Sequence, residues 1–489
     1  MNFEHFIIPA KIRKILDEDN KKEKIIVRFP PEPSGYLHIG HIKALYINAC
    51  IWKKYNGSLI IRMDDTNPLL ESEEYEKAII YDLMQLGIKM ENISYTSQYF
   101  DTLLDMADLL IQSNKAYVDL SDLQTIKTER SKGIDSIYRN NTIEKNILLW
   151  NGMKTGTIKG CVRMRLNMTD KNYAMRDFSI YRSIDAVHHK TQGKYFVYPT
   201  YDFACPILDS LEGITHVFRS IEYNERDEQG NYILDIMKLR KPKLFHYGKL
   251  NITGSVLSKR LIKKAIQEGL YDGWDDPRLY TFRGLLKRGM TISGLEEIMK
   301  ETGYSVHDIN LEPSIIWNIN KKIIDKISSR FSVVPSNAVL IPIKLNTNHI
   351  FDFTNHKSID RFSRNKSLGQ RFITYSPNIY ISFQDYTNLI PNELLSLLNF
   401  INVTFNSNTF TSNPDTDYRH TSKKLLWVPE NFINVHITSF LNNSKIITSY
   451  FGEPSLSLTK IGDYIQLLKM NYYICTYVDN TSIHLIELP

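Results

Sequence analysis

The sequence predicts an α/β fold followed by an all-β region. The apolar run Ile25-Ile26-Val27 indicates a buried strand, and a helical pattern begins at about His41, after a turn rich in proline and glycine. A second strand, Leu59 to Met63, ends in acidic and polar residues, which is typical of the carboxyl edge of a parallel sheet. Past Phe331 charged residues become sparse, with 12 Lys or Arg and 11 Asp or Glu in 331–489. Short β-like runs there alternate with Asn, Ser and Pro turns, which favours a sandwich or barrel.

We divide the chain into six predicted parts. They are a charged lead-in with a helix at 1–24, the first half of the core at 25–87, a long insertion at 88–194, the second half of the core at 195–260, a helical connector at 261–330, and the all-β region at 331–489. Apolar spacing predicts a helix from Tyr75 to Leu86. In the insertion it predicts helices near Phe100–Ser113 and Ile143–Trp150, then a strand from Cys161 to Leu166.

Five runs in the last part have the composition of strands. They are Val339–Ile343, Phe372–Ile381, Leu425–Val428, Val435–Phe440 and Tyr472–Val478.

Composition narrows the class of protein. Of the 489 residues, 42% are hydrophobic and 23% are charged, as in ordinary globular proteins. No apolar run approaches the length of a membrane span and no signal-peptide pattern opens the chain, so we expect a cytoplasmic protein without membrane contact. Cys50, Cys161, Cys205 and Cys475 lack metal-ligand spacing, so we expect neither structural zinc nor disulfides. The net charge of +6 permits nucleic-acid binding without proving it.

The stretch from Arg28 to His41 is the most informative part of the chain. It reads RFPPEPSGYLHIGH and joins a predicted strand to a predicted helix, the geometry of a phosphate site at a helix N-terminus. Gly35 and Gly40 permit close approach of the backbone. His38 and His41 share one face, where both rings can donate hydrogen bonds to phosphate oxygens. The alternative is a proline-rich turn with two surface histidines, but so many special residues at one junction favour the phosphate site.

Two segments carry a resemblance to a known family. His38-Ile39-Gly40-His41 resembles the HIGH signature of class I aminoacyl-tRNA synthetases, and Pro31-Glu32-Pro33-Ser34-Gly35 resembles the version in glutamyl- and glutaminyl-tRNA synthetases. Val256-Leu257-Ser258-Lys259-Arg260 is similar to the KMSKS loop. Val replaces the first Lys of that loop, Leu the Met, and Arg the last Ser, which leaves more of the charge stabilisation to Lys259.

The resemblance is to the archaeal and eukaryotic-type glutamyl-tRNA synthetases. It covers residues 25–330 closely, and past Phe331 it is a resemblance of architecture. It implies a Rossmann-type core, an α/β insertion that binds the acceptor stem, a helical connector and β-barrels that bind the anticodon.

The resemblance also implies an activity. L-Glutamate would be activated with ATP to glutamyl-adenylate and transferred to the 2′-hydroxyl of the 3′-terminal adenosine of tRNA(Glu), releasing AMP and pyrophosphate. Mg²⁺ would accompany the polyphosphate, and no metal bound by the protein itself is implied. Such chemistry needs positioning and charge stabilisation more than covalent help.

The family's site residues carry over position by position. The catalytic residues would be His38, His41 and Lys259. The ATP site would contain Glu32, Ser34, His38, Gly40, His41, Ser220, Lys249, Leu250, Leu257, Ser258 and Lys259. Glutamate would contact Arg28, Asp64, Tyr201 and Arg219, and tRNA would contact Glu225. Outside this constellation Asp64 could cap a turn, Tyr201 could be a core aromatic residue, and Glu225 could belong to a solvated charge run.

The choice of amino acid depends on Arg219. It lies where the resemblance places Arg in glutamate enzymes and a small neutral residue in glutaminyl enzymes. A guanidinium pairs with a γ-carboxylate through charge-assisted hydrogen bonds that an amide cannot replace. The alternative is a structural salt bridge to Glu222 or Asp209.

Three other functions are compatible with parts of the pattern. A glutaminyl-tRNA synthetase is disfavoured by Arg219. A catalytically dead, tRNA-binding paralogue is disfavoured by the intact His38, His41, Asp64 and Lys259. A short relative that glutamylates a tRNA base is disfavoured by the large C-terminal region.

Overall fold

The computed structural model describes the whole chain apart from residues 5, 346–352, 354, 414–420 and 442–443. These described residues form two compact units. The first contains 1–283 and 296–312, and the second contains 284–295 and 313–489.

The helices follow one another along the chain from the N-terminus. They are α1 Ala10–Asp19, α2 Ile39–Lys54, α3 Glu73–Gln85, α4 Phe100–Gln112, α5 Leu123–Lys132, α6 Ile143–Lys154, α7 Tyr201–Leu211, α8 Asp227–Ile236, α9 Lys259–Gln267, α10 Phe282–Lys287, α11 Ile292–Thr302, α12 Pro313–Ile324 and α13 Phe383–Thr387. Short 3₁₀ helices cover Thr96–Tyr99, Tyr173–Met175, Ile221–Arg226, Lys366–Leu368 and Pro454–Leu458.

The strands divide between the two units. Those of the first are β1 Ile26–Phe29, β2 Ser58–Met63, β3 Ile93–Tyr95, β4 Ala116–Asp119, β5 Cys161–Met164, β6 Ser179–Ser183, β7 Val197–Pro199, β8 His216–Ser220, β9 Lys243–Tyr247, β10 Leu250–Ile252 and β11 Ile309–Leu311. Those of the second are β12 Ser329–Phe331, β13 Val333–Pro335, β14 Val339–Lys344, β15 His356–Asp360, β16 Gln370–Thr374, β17 Asn378–Ile381, β18 Leu394–Leu397, β19 Asn402–Asn406, β20 Thr409–Ser412, β21 Lys423–Leu425, β22 Val428–Pro429, β23 Ile433–Leu441, β24 Ser444–Gly452, β25 Tyr464–Leu467, β26 Tyr472–Val478 and β27 Ser482–Glu487.

Parallel strands form the core of the first unit. β1, β2 and β3 pair in parallel, and so do β8 and β9. The amide of Thr215, just before β8, donates to the carbonyl of Ile26 in β1 at 3.0 Å, so β8 lies beside β1. From β1 the sheet therefore continues through β2 and β3 on one side and through β8 and β9 on the other. A crevice at the carboxyl ends of β1 and β8 is where parallel α/β sheets bind ligands.

An antiparallel sheet, ordered β4-β5-β6-β7, contains three strands from the predicted insertion 88–194 and one, β7, from just beyond it. Helices α4 and α6 cover it, and Trp150, Val162 and Tyr181 are among the side chains buried between them. The predicted strand from Cys161 to Leu166 is two residues shorter in the structure, since β5 ends at Met164.

The second unit is dominated by strands, as the sequence predicts. Two seven-stranded sheets run in the orders β12-β25-β26-β27-β23-β24-β13 and β21-β18-β19-β20-β14-β17-β22. Each sheet has a barrel-like shape and surrounds its own cluster of buried apolar side chains. The predicted fold class, α/β with a C-terminal all-β region, is confirmed.

Two of the predicted strand runs are broken in the structure. Residues 372–381 form the end of β16 and all of β17, separated at Pro377, because proline cannot donate to a strand ladder. Residues 425–428 contribute to β21 and β22. The stretch 261–330 is predicted to be helical, but it contains strand β11, which pairs in parallel with β10. The helical pattern of that stretch does not indicate a strand. None of the helices in the described ranges has the length and apolar character needed to cross a membrane.

Candidate active site

A cavity of about 1210 Å³ opens at the carboxyl ends of β1 and β8. The site residues predicted from the sequence line it, with the exception of Ser34, which is buried. The lining ones are Arg28, Glu32, His38, Gly40, His41, Asp64, Tyr201, Arg219, Ser220, Glu225, Lys249, Leu250, Leu257, Ser258 and Lys259. Residues that are 231 positions apart along the chain, such as Arg28 and Lys259, thus share one solvent-filled space.

The two histidines at the start of α2 are held by the backbone. The Nδ1 atom of His38 accepts from the amide of Gly40 at 3.1 Å, and the Nδ1 atom of His41 accepts from the amide of His38 at 3.2 Å. Since each Nδ1 accepts, each neutral ring carries its proton on Nε2. A Cβ at Gly40 would lie 2.9 Å from Cε1 of His38, so glycine leaves the room that this arrangement needs.

Burial keeps both rings uncharged. Burial and then the positive charge of Lys259 lower the pKa of His38 to about 3. Burial, then His38 and Lys259, hold the pKa of His41 well below its ordinary value. The pair can therefore offer two N–H donors to an anion over the whole physiological pH range without bringing charge of its own.

Lys259 supplies the nearby positive charge. It is the first residue of α9, and its Nζ donates to the backbone carbonyl of Glu32 at 2.6 Å. Burial lowers its pKa to about 8, although the carboxylates of Glu32 and Glu71 act in the opposite direction. A lysine with this pKa is still mostly protonated at neutral pH and gains from a bound phosphate.

A group of carboxylates faces this cation across the cavity. Burial, and then the charge of Glu32, raises the pKa of Asp64 to about 7. Burial and Asp64 raise the pKa of Glu71 to about 10, and Oε2 of Glu71 has no hydrogen-bond partner among the described residues. A bound ammonium group would compensate the negative charge of Asp64. The sequence analysis did not identify Glu71, nor Arg182, which lines the cavity and lies near all three carboxylates.

Buried ion pairs lie behind Arg28, which lines the cavity. Nε of Arg28 is 3.1 Å from Asp209, and Arg62 pairs with Asp209 at 2.5 Å and with Glu212 at 2.7 Å. Two guanidinium groups thus face two carboxylates, and the charges balance. Arg28 is fixed by Asp209 and by the carbonyl of Phe218, so it is a rigid part of the wall.

Arg219 has a partner that the sequence analysis did not consider. It forms an ion pair with Asp227, the first residue of α8. The two alternative partners named from the sequence are wrong because both are engaged elsewhere: Glu222 pairs with Lys249 at 2.5 Å, and Asp209 pairs with Arg28. Near Arg219, the ring of Tyr223 lies between it and Tyr201, with the two tyrosine centroids 5.7 Å apart.

Lys249 and Leu250 lie on a clamped segment. Nζ of the buried Lys43 donates to the carbonyl of Gly248 at 2.8 Å, and the amide of Lys249 donates to Oδ1 of Asp308 at 2.7 Å. The parallel pairing of Leu250 with Ile309 extends the clamp. Sequence reasoning missed Lys43, and helical spacing gave no signal for it, because residues two apart on a helix point to different faces.

The rim next to the insertion is basic and aromatic. Glu225 lies in the 3₁₀ helix Ile221–Arg226, and its carbonyl accepts from Nδ2 of Asn172 at 2.8 Å. Beside it the guanidinium carbon of Arg130 lies 4.5 Å from the ring centroid of Tyr173. Exposed aromatic and basic groups of this kind suit contacts with a nucleic acid strand.

Glu71, His188 and His189 bring potential metal-ligand atoms within 4.8 Å of one another. Both ring nitrogens of His188 are occupied, however. Nε2 lies 2.9 Å from the carbonyl of Asp65, and Nδ1 accepts from the amides of Lys190 and Thr191. We therefore assign no metal to this group.

Comparison with known families agrees with this geometry. The profile described as "tRNA synthetases class I (E and Q), catalytic domain" matches residues 24–326, and the one described as "tRNA synthetases class I (E and Q), anti-codon binding domain" matches residues 328–421. The chain belongs to this family. The two matches meet where the parallel core and its helical continuation give way to the β-rich unit.

Curated relatives match over most of the chain. It is 38% identical over 497 residues to the probable cytoplasmic glutamate–tRNA ligase of Enterocytozoon bieneusi, covering 94% of this chain and 78% of that protein. It is 37% identical to the cytoplasmic glutamate–tRNA ligase of Arabidopsis thaliana, covering 92% of this chain and 67% of that one. The bifunctional glutamate/proline–tRNA ligase of Mus musculus is also 37% identical, over 92% of this chain. The chain spans 32% of the length of that mouse protein.

Proposed function

We propose that this chain is a glutamate–tRNA ligase that uses ATP, L-glutamate and tRNA(Glu). The observation that carries the proposal is the single cavity at the carboxyl ends of β1 and β8, which brings His38, His41, Lys259, Asp64 and Arg219 together. Each of these side chains suits one part of a reaction between a phosphate anhydride and an amino-acid carboxylate. Relatives named glutamate–tRNA ligase, two of them also named cytoplasmic, support the substrate and a cytoplasmic location.

ATP binds at the start of α2 as its Mg²⁺ complex, in which Mg²⁺ neutralises charge on the polyphosphate. The Nε2 protons of His38 and His41 donate to phosphate oxygens at the positive end of the helix. Lys259 adds the charge that stabilises the transition state as negative charge moves toward the leaving pyrophosphate. Lys249 and Leu250 line the adenine side of the site, and since the amide and carbonyl of Lys249 are bonded to Asp308 and Ile309, Leu250 presents the backbone groups to the adenine edge.

Glutamate binds across the carboxylate side of the cavity. Asp64 accepts the α-ammonium group, and this contact favours the ionised form of Asp64. An α-carboxylate oxygen then attacks the α-phosphorus of ATP: one oxygen–phosphorus bond forms, the bond to the β-phosphate oxygen breaks, and pyrophosphate leaves. Arg219, beside Tyr223, donates hydrogen bonds to the γ-carboxylate.

In the second step the 2′-hydroxyl of the terminal adenosine attacks the carbonyl carbon of glutamyl-adenylate. The ester forms as the acyl–phosphate bond breaks, the hydroxyl proton passes to the departing phosphate, and AMP leaves. The rim that contains Glu225, Arg130 and Tyr173 lies where the single-stranded 3′ end of the tRNA would enter.

The deciding experiment is aminoacylation of total tRNA with labelled glutamate and, separately, labelled glutamine. We expect charging with glutamate that requires ATP and Mg²⁺, with glutamine poorly used. Charging with glutamine alone would identify a glutaminyl-tRNA synthetase instead. Tight tRNA binding without charging by either amino acid would identify a non-catalytic tRNA-binding protein.

A further inference from the structure

The ion pair between Arg219 and Asp227 lies inside the proposed glutamate site and has no assigned role. Arg219 is in β8 and lines the cavity, whereas Asp227 opens α8 behind it. Only 15% of the Arg219 side chain and 25% of the Asp227 side chain is exposed, so the pair is largely shielded from water. At such burial an ion pair fixes the direction of a guanidinium far better than an exposed pair does.

A second side chain holds Asp227 in place. His246 is the register partner of Arg219 on the neighbouring strand β9, and its Nε2 lies 3.1 Å from Oδ1 of Asp227. The carboxylate is therefore held from two adjacent parallel strands. Burial alone would raise the pKa of Asp227, but the hydrogen bonds from His246 and Arg219 outweigh burial and keep the pKa below its ordinary value. Asp227 is thus an anion at neutral pH.

Arg219 keeps donors that Asp227 does not use. Its Nη2 donates to Asp227, and Nη1 makes no hydrogen bond within the part of the chain that the structure describes. A guanidinium offers five N–H donors in a planar fork, so one edge can pair with protein while another pairs with a ligand. Because Arg219 lines the cavity, the donors of Nη1 are available to a ligand carboxylate there.

We infer that Asp227, supported by His246, is a positioning residue that orients Arg219 and so contributes to the selection of glutamate over glutamine. The inference rests on the proposed function. Asp227 does not touch the substrate; it limits Arg219 to one orientation, in which the free edge of the guanidinium meets the γ-carboxylate. Without Asp227, Arg219 would sample several rotamers, and part of the binding energy would be lost in ordering it.

The test is Asp227→Asn, which keeps the volume and one acceptor oxygen but removes the charge. The quantity measured is the ratio of kcat/KM for glutamate to that for glutamine. We expect Asp227→Asn to lower this ratio about ten-fold, mainly through a higher KM for glutamate with little change in kcat. His246→Gln should lower it less, because Asp227 then loses one of its two anchors. Asp235→Asn is the matched control, since Asp235 lies on the same helix in an exposed pair with Lys241 and should leave the ratio unchanged.

A double-mutant cycle separates positioning from general damage. If Asp227 acts through Arg219, Asp227→Asn should not change the ratio further in an Arg219→Cys background. A ratio that Asp227→Asn leaves at the wild-type value, while Arg219→Cys abolishes the preference, would overturn the inference. A higher preference for glutamate would overturn it too, because Asp227 would then compete with the substrate for Arg219. Wild-type protein that charges neither amino acid would instead contradict the proposed function.

If Asp227→Asn does not fold, His246→Gln provides the same readout from the second anchor. An unchanged ratio in folded His246→Gln, together with an unfolded Asp227→Asn, would assign Asp227 a purely structural role and overturn the inference.

Discussion

The first compact unit contains charged groups at an open cavity as well as matched buried ion pairs such as Arg163 and Asp119, whereas the second offers a matched buried pair for comparison. In the first, His38, Asp64 and Lys259 line an open cavity with pKa values displaced by burial. In the second, the most deeply buried of the described ion pairs joins Arg371 and Glu453, whose side chains are only 3% and 5% exposed. Buried charge without a full partner marks a place where a ligand completes the pairing, whereas a matched pair holds architecture together. Substitutions of the cavity residues should therefore lower activity, whereas substitutions of the matched pair should lower the free energy of unfolding.

The largest expected effect is that of Lys259→Ala. Removal of the cation that stabilises the leaving pyrophosphate should lower kcat for glutamate activation by about a hundred- to a thousand-fold. The thermal unfolding midpoint should stay near that of the wild type. Lys259 makes one hydrogen bond to a backbone carbonyl, and the free energy lost with that bond is offset because the buried charge no longer has to be desolvated on folding. Rapid-quench measurement of pyrophosphate release checks this, and turnover near the wild-type rate would show that the segment 256–260 is not the equivalent of the KMSKS loop.

The matched pair should behave in the opposite way. Arg371→Met should lower the free energy of unfolding by about 3 kcal/mol, because Glu453 is left buried without its cation. Glu453→Gln is the milder control, since an amide oxygen in the place of Oε1 can still accept from Ser455 and Arg371, and only the amide of Ser332 loses its acceptor. Denaturant unfolding measures the loss. An Arg371→Met protein that is as stable as the wild type but cannot activate glutamate would contradict this assignment of the pair to stability.

Arg219→Cys tests the cation that selects the substrate. A charge-assisted hydrogen bond contributes about 1.5–3 kcal/mol, so kcat/KM for glutamate should fall by about ten- to a few-hundred-fold relative to glutamine. Glutamate and glutamine are nearly isosteric, so shape alone cannot preserve the preference. Steady-state kinetics with both amino acids measures the ratio, with a thermal melt as the control for folding. An unaltered ratio would mean that Arg219 serves only its pairing with Asp227.

The smallest effect concerns pH. Lys259 has a pKa of about 8 in the free enzyme, so its charge is lost as the pH rises through 8, and kcat/KM for ATP should fall by up to about ten-fold per unit above it. Asp64 has a pKa of about 7, so its charge is lost as the pH falls through 7, and kcat/KM for glutamate should fall on the acidic side. His38, with a pKa of about 3, should add no inflection between pH 5 and 9. Separate pH profiles for the two substrates check this, and coincident profiles would contradict the assignment of the two groups.

Local patterns predicted the α/β core and the β-rich C-terminal region, and the family resemblance supplied 15 of the 38 residues that line the cavity. Apolar periodicity predicted the helices and strands. The proposed catalytic residues lie in two contiguous segments, 28–41 and 256–260, so a local motif was enough to indicate them. Errors arose where a run was apolar but interrupted, as at Pro377, because periodicity does not report the loss of a single ladder hydrogen bond.

Contacts between distant segments were not predictable in the same way. The pairing of β10 with β11 joins residues 250 and 309, and the anchoring of Gly248 by Lys43 spans 205 positions. Asp227 lies only eight residues from Arg219, yet the sequence favoured Glu222 and Asp209 as partners. In each case the choice of partner depends on which strand edge or helix start lies nearby in space, and no single-sequence pattern encodes that.

The uncharged histidine pair, which backbone amides hold in place, affects the release of pyrophosphate in the proposed reaction. An imidazolium would hold pyrophosphate through full ion pairs, whereas a neutral ring holds it only through a hydrogen bond, which is roughly half as strong. Among the groups assigned to the phosphates, the positive charge is then concentrated on Lys259, at the first residue of a helix. In the proposed reaction, release of pyrophosphate would then require one charged contact and two weaker hydrogen bonds to break, instead of three charged contacts.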